Sequence, residues 1–469
     1  MNETSPDDEK YVKLNSIREE KNSYHKDNED HDHDKSCKEA ESVKFFDDDF
    51  ETERKNLSWS ERYFSSIQGG SLRGSIITFA SLCFGTAALS LPAAMNNVGL
   101  VYGTIMFLSL TILCYWSFYI LLISARAKKV MNYSKVVESY LGHKMALVLD
   151  ITNMVYCFGI LMVYVFTITS FVLQILKVLF EIDGENKTVR LIQMSIIMII
   201  FQIPLGFLKN MSRLQYAGMV GIFVFVYVTI LIFIESFFYY KEATDEGRKI
   251  QLFTDFNMSY FDSFSIFLYT YACHNGIFPI YTELKQPTKR RTFTVLKRAV
   301  LTQFITFCII CYSGYFSLIE DTPSIFIVRP DLKIFENFDY YMLFAKFIYI
   351  FNILGSGSIV FNIIRTSVND IFSKDKGELP FKIEVALIIF TFVLANVLTF
   401  YVTNVVQIIG VIGGLCGTIM SFILPILCYV KSTGLPLYNY KNLLYLSVMI
   451  IISGIGLVST GRSLISLFK

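Results

Sequence analysis

The apolar run at about residues 262–281 is long enough to cross a membrane, yet its middle is built against a continuous helix. Within Tyr271-Ala-Cys-His-Asn-Gly-Ile-Phe-Pro-Ile-Tyr-Thr-Glu-Leu284, residues His274, Asn275, Gly276 and Pro279 fall within six positions. In hydrocarbon every backbone N–H and C=O must be satisfied, so a broken helix persists only where protein or a water-filled cavity covers it. A second interruption, Phe84-Gly-Thr-Ala-Ala-Leu-Ser-Leu-Pro92, lies near the start of the apolar region. Two interrupted spans in corresponding positions of two halves point to a binding site of the kind found in secondary transporters.

Hydropathy places these breaks in a polytopic membrane protein. Eleven apolar runs are expected to span, at about 72–95, 98–123, 146–178, 190–208, 214–239, 262–281, 299–319, 340–363, 383–402, 405–429 and 442–465. The predicted fold class is therefore all-α. Spans 1–5 and 6–10 each open on an interrupted helix, and five is odd, so the second set is expected to be inverted relative to the first. Residues 1–68 hold 19 acidic and 11 basic residues, a net of −8, which leaves 21 and 31 in the rest, a net of +10. The tail is poor in aliphatic residues and reads as a disordered acidic segment, with 69–469 as one membrane domain. His31-Asp-His33 in that tail reads as solvated charge rather than a metal site.

Short loops on the predicted inner side carry 19 Lys/Arg and those on the outer side nine. This bias sets a cytosolic N-terminus and an extracellular or lumenal C-terminus. Eight of the nine cysteines, all but Cys37, lie in or beside apolar spans, so no disulfide framework is expected. No phosphate loop, zinc signature or nucleophile constellation is present, which excludes the common enzyme classes. Nothing in the chain suggests nucleic acid or a specific protein partner; the partners expected are a small solute and the lipid bilayer.

At the first break Gly85, Thr86, Ala87, Ala88 and Ser90 are small, and Pro92 follows. Unwinding there would free N–H groups and point a half-helix N-terminus at a substrate carboxylate without any charged side chain. The plainer reading is close helix packing through small residues. At the second break Cys273, His274, Asn275 and Gly276 would release carbonyls toward a substrate ammonium. His274 is ionisable inside a span, so it is a candidate proton-sensitive group; its alternative is a neutral imidazole bonded across helices. Lys346 is expected to snorkel to an interface, Asp150 and Glu235 to be interfacial, and Glu283 to pair with Arg73 or Arg365 or simply to end a helix in solvent.

Cys273-His-Asn-Gly-Ile-Phe-Pro-Ile-Tyr-Thr-Glu-Leu284 resembles the sixth-helix signature of the sodium-coupled neutral amino acid transporters, within the amino acid/auxin permease family. Phe84-Gly-Thr-Ala-Ala-Leu-Ser-Leu-Pro-Ala-Ala-Met95 resembles the family's first-helix motif. Pro204-Leu-Gly-Phe-Leu-Lys-Asn210 and Asn362-Ile-Ile-Arg-Thr-Ser367 resemble its helix 4–5 turn and the end of its eighth helix. The resemblance covers about residues 69–465. It implies an eleven-helix bundle of the leucine-transporter type, with a 5+5 inverted repeat and broken helices 1 and 6. It also implies amino acid carriage coupled to Na⁺ or H⁺, with no other cofactor. By the same resemblance Gly85, Thr86 and Ala87 face the substrate carboxylate, and Cys273, His274 and Asn275 its amino end. Ala87 stands where the family usually has Gly. Ser81 stands where sodium-coupled members place an Asn ligand, so Ser81 with Ser356 and Ser358 is the candidate Na⁺ site. The expected function is neutral amino acid transport at a plasma or lysosome- or vacuole-like membrane. The alternative is an endomembrane amino acid sensor that signals through its cytosolic tail.

Overall fold

The structure is a computed structural model. It describes residues 71–181, 187–208, 211–284, 287–329, 339–372, 380–402, 404–436 and 438–467, with the backbone alone at 211–220 and 370–372. The acidic tail and the loop residues Asn186, Lys209, Lys285, Lys374 and Lys376 lie outside these residues. All regular structure among the described residues is helical.

In chain order the helices are α1 (Leu72–Ser81), α2 (Leu91–Val98), α3 (Leu100–Lys128), α4 (Tyr133–Leu141) and α5 (His143–Phe180). There follow α6 (Lys187–Gly206), α7 (Met211–Asp245), α8 (Ser259–Tyr271), α9 (Ile277–Glu283) and α10 (Lys289–Leu318). The last four are α11 (Tyr340–Phe372), α12 (Phe381–Tyr401), α13 (Val405–Ser432) and α14 (Tyr440–Leu467). Among the described residues nine helices are long and apolar enough to cross a membrane alone. A tenth crossing is the pair α1 and Thr86–Val98, which meet at 51°. The run expected at 262–281 is not one helix. It divides into α8, of 13 residues, and α9, of seven.

Most helices outrun their apolar stretch because polar ends continue the backbone bonding into the interface. Capping fixes several starts: Ser71 Oγ accepts from Gly74 N–H (3.1 Å), and Asn404 Oδ1 from Val406 N–H (3.0 Å). Gly99 ends α2 at φ +81°, a conformation that lets α3 begin at once in another direction. Helix α4 was not expected from hydropathy. Its signal was local: Asn132 Oδ1 accepts from Lys135 N–H (3.1 Å), and Tyr133, Val136 and Val137 form one buried face.

The centre of the bundle is packed through small residues. A Cβ on Gly414 of α13 would sit 2.7 Å from the carbonyl oxygen of Gly456 on α14. Helix α13 also widens into two π segments, Ile412–Gly417 and Ile419–Ile423. The backbone oxygens there accept side-chain bonds from elsewhere. Tyr133 donates to Met420 O (2.7 Å), and Ser117 donates to Ser421 O. That cross-bonding is how irregular backbone is kept satisfied away from water.

Candidate functional site

The first break starts where α1 loses its register at Ser81. Turns carry the chain on, with Phe84 N–H bonding Ser81 O at 3.0 Å. Gln303 of α10 donates to the carbonyls of Phe79 (3.0 Å) and Ala80 (3.4 Å) at the end of α1, and Ala80 O also accepts from Cys83 N–H (3.3 Å). Gly85 is extended and opens the short 3₁₀ turn Thr86–Ser90 without a side-chain cap. The first N–H groups of the new helix therefore have no partner inside it. Thr86 Oγ1 is buried and also unpartnered. The space in front of a Cβ at Gly85 is open for at least 4 Å.

At the second break α8 stops at Tyr271, and a 3₁₀ turn, His274–Gly276, leads into α9. Tyr156 of α5 donates its hydroxyl to the freed Ala272 carbonyl at 2.9 Å. Left unpaired in a buried position, that oxygen would cost roughly 1–3 kcal/mol. Asn275 donates its amide to Asn153 Oδ1, also on α5. The two breaks touch directly, because Cys83 Sγ and Cys273 Sγ lie 3.0 Å apart.

Between them lies a cavity of about 270 Å³, near the lower bound of ordinary small-ligand sites. Gly85, Cys273, Asn275 and Gly276 contribute from the breaks, and Asn153, Tyr156 and Tyr164 from α5. Asn352 and Ser356 of α11 and Gly221 of α7 close the far wall. None of the lining side chains is charged. An adjoining pocket of about 70 Å³ adds Thr86 and Ala87.

Six of the eight expected substrate residues thus line one or the other of these spaces. The other two do not. Ala88 is fully buried in the core. His274 turns away from the cavity toward α3, where its ring stacks on Phe118 (3.8 Å between centroids, 11°). Its Nε2 meets Ser117 Oγ at 3.2 Å. Ser117 gives its one proton to Ser421 O, so it accepts from His274, which assigns the ring hydrogen to Nε2. Nδ1 is buried with no partner, a setting suited to the neutral imidazole.

Ser81 and Ser356 line the cavity, with Ser81 Oγ donating to Thr78 O at 2.8 Å. Ser358 is separate: it borders another pocket of about 20 Å³, beside Gln202 and Phe392. Residues two apart on a helix lie about 200° around it, so Ser356 and Ser358 cannot share one face. The three expected ion ligands are therefore not gathered in one place. Asn153 and Asn352 are not among the expected site residues, although an Asn in mid-span is itself a signal, since polar groups there need partners. Gly221 gives Asn352 its room: a Cβ there would fall 2.5 Å from Asn352 Oδ1.

The buried charges also differ from expectation. Lys346 does not snorkel and is only 3% exposed. Arg365 sits 3.3 Å from Glu384 of α12, and it donates to Asn362 Oδ1 (2.6 Å) and to Gly206 O. Glu283 is exposed at the end of α9. Glu235 is buried and paired with Arg329 rather than interfacial.

Comparison with known proteins fits this arrangement. A family profile described as transmembrane amino acid transporter protein matches residues 68–468. A zebrafish (Danio rerio) protein named sodium-coupled neutral amino acid symporter 2 is 24% identical over 425 residues, 84% of this chain and 81% of its own. A Saccharomyces cerevisiae protein named vacuolar amino acid transporter 6 is 27% identical over 259 residues, 52% of this chain and 55% of its own. A Toxoplasma gondii relative is 26% identical over 273 residues, 58% of this chain. The match spans only 37% of that protein's length.

Proposed function

The chain belongs to the transmembrane amino acid transporter protein family, and from that premise we propose that it is a secondary transporter of neutral amino acids. The observation that carries the reading is the uncharged cavity held between two broken helices. An amino acid brings both of its own charges. Unbonded N–H groups after Gly85 suit its carboxylate, and the carbonyl-rich turn at Ala272–Cys273 suits its ammonium. A charged substrate side chain would meet no counter-charge in the lining, which supports a neutral one.

Counting the pair α8 and α9 as one crossing gives eleven, with the two broken crossings first and sixth. The sets α1–α7 and α8–α13 then form a 5+5 inverted repeat, and α14 follows. The distribution of Lys and Arg supports a cytosolic N-terminus. Transport proceeds as the broken helices and their partners rock against the scaffold and expose the cavity to each side in turn. Ser81 and Ser356 are the candidates for a Na⁺ site, and H⁺ is the other coupling ion to be tested. One relative's name supports a vacuole-like membrane, and the plasma membrane is the alternative.

The test is counterflow of labelled neutral amino acids into proteoliposomes, with Na⁺ replaced by choline and pH stepped from about 5 to about 7.5. Exchange of at least one neutral amino acid is expected. Na⁺ dependence would place the ion at Ser81 and Ser356. Absence of any amino acid exchange would sink the reading.

A further inference from the structure

The two breaks bring together a pair of thiols to which the transport reading gives no task. Cys83 lies in the turn after α1 and Cys273 between α8 and α9, 190 positions apart in the chain. Both are free thiols, and the Cys83 thiol donates to Cys273 Sγ at 3.0 Å. Neither residue lies inside a helix. Cys83 N–H bonds Ala80 O at 3.3 Å, and Cys273 sits at φ −115°, ψ 30°. Contacts on both sides hold the sulfurs in register. Tyr156 fixes the carbonyl of Ala272, the residue before Cys273. Leu82, the residue before Cys83, packs so closely on Gly276 that a Cβ there would collide with it. Other buried cysteines place their sulfurs differently. Cys311 Sγ meets Leu91 O at 3.6 Å and Cys157 Sγ meets Asn153 Oδ1 at 3.9 Å, as small core residues do.

Both cysteines line the pocket of about 70 Å³ beside Thr86 and Ala87, and Cys273 also lines the larger cavity. Cys83 is 5% exposed. A small uncharged molecule entering the cavity therefore reaches Cys273 first, with Cys83 behind it. A dithiol and a disulfide are both neutral, so an uncharged lining holds either form without burying a net charge. Disulfide sulfurs stand about 2.05 Å apart, a closure of about 1 Å from the observed contact. We propose that Cys83 and Cys273 form a dithiol oxidation site, that its reagent is a small hydroperoxide, and that the resulting disulfide stops transport. When the cavity is open to water, the Cys273 thiol loses its proton and its sulfur attacks the terminal peroxide oxygen. The O–O bond breaks, the leaving oxygen takes up a proton, and Cys273 carries a sulfenic acid. The Cys83 sulfur then attacks the Cys273 sulfur. The S–S bond forms, the S–O bond breaks, and the hydroxyl leaves as water with the Cys83 proton. In sum, two thiols and one hydroperoxide give one disulfide, one water and one alcohol, which is a second water when the reagent is hydrogen peroxide. Each sulfur gives up one electron, and the peroxide bond takes both. Exchange with a free dithiol reverses the link. The arrest follows from position. The carboxylate site begins at Gly85, two residues from Cys83, and the ammonium site is the turn that holds Cys273 itself. Drawing the breaks together misplaces both. The arrest rests on the transport reading above; the thiol chemistry does not.

Full-length wild type, Cys83→Ser and Cys273→Ser are placed in proteoliposomes, treated with hydrogen peroxide, and each compared with its own untreated sample. Thermal unfolding reports that each variant is folded. Free thiols are then alkylated and the protein is digested. Wild type is expected to give the Cys83 peptide joined to the Cys273 peptide, lighter by two hydrogens than their sum and separated again by dithiothreitol. Neither variant should give a joined peptide. Exchange of labelled neutral amino acids should fall about tenfold or more in treated wild type and recover with dithiothreitol. Exchange by Cys83→Ser should lose far less. Absence of the joined peptide from treated wild type overturns the site. An equal loss of exchange in treated Cys83→Ser overturns the disulfide as the cause of arrest, as does a joined peptide in wild type whose exchange is unchanged. A joined peptide in a wild type that exchanges no amino acid even before treatment overturns the transport reading instead and leaves the oxidation site standing.

Discussion

Replacing Gly85 with leucine stops uptake while leaving the protein folded. The expected loss is on the order of a hundredfold, because the new side chain occupies the space where the substrate must sit. The fold should tolerate it for a local reason: a Cβ at Gly85 meets nothing within 4 Å, and its backbone is extended rather than left-handed. Removing glycine also narrows the unfolded ensemble, so the melting temperature should hold or rise slightly. Gly276 is a poorer probe, since a Cβ there runs into Leu82 and mixes a packing change with a change in the site. Uptake together with thermal unfolding of the same sample separates the two effects. Normal uptake by folded Gly85→Leu would remove this cavity from consideration.

The largest stability effect is expected at Arg365. Its guanidinium stands beside Glu384, which is 3% exposed, and it also satisfies Asn362 and the Gly206 carbonyl. Arg365→Ala takes the guanidinium from beside a buried carboxylate and should cost about 3–5 kcal/mol, read as a lower melting temperature in detergent. Removing both charges, as Arg365→Met with Glu384→Leu, should cost much less than the single change. Wild-type stability in Arg365→Ala would mean that the pair does not hold α11 to α12.

The breaks were legible because they are backbone facts. Glycine, small residues and proline inside an apolar run leave hydrocarbon-buried bonds unmade, and that shows in one dimension. Directions were not legible. Once the helix is broken its period no longer says where a side chain points, so His274 read as a cavity residue while it stacks on Phe118. Ser356 and Ser358 were a readable exception, since a spacing of two on an intact helix already separates them. Pairs such as Arg365 with Glu384, or Glu235 with Arg329, join distant parts of the chain. A hydropathy profile records each member alone and prices it as an interfacial charge. The cavity's third wall shared that fate, because Asn352 acquires its place only through Gly221 on another helix.

Occupancy of the space between the breaks tests the central claim most directly. Cys273 lines both the cavity and its adjoining pocket, so it reports on that space. Membranes holding the full-length protein are treated with a small water-soluble methanethiosulfonate, with and without saturating neutral amino acids, and labelling at Cys273 is followed by peptide mapping. Slower labelling of Cys273 with amino acid present, and unchanged labelling with a sugar, is the predicted result. Equal rates with amino acid and sugar, for a protein that exchanges amino acids, would contradict it and place the substrate elsewhere.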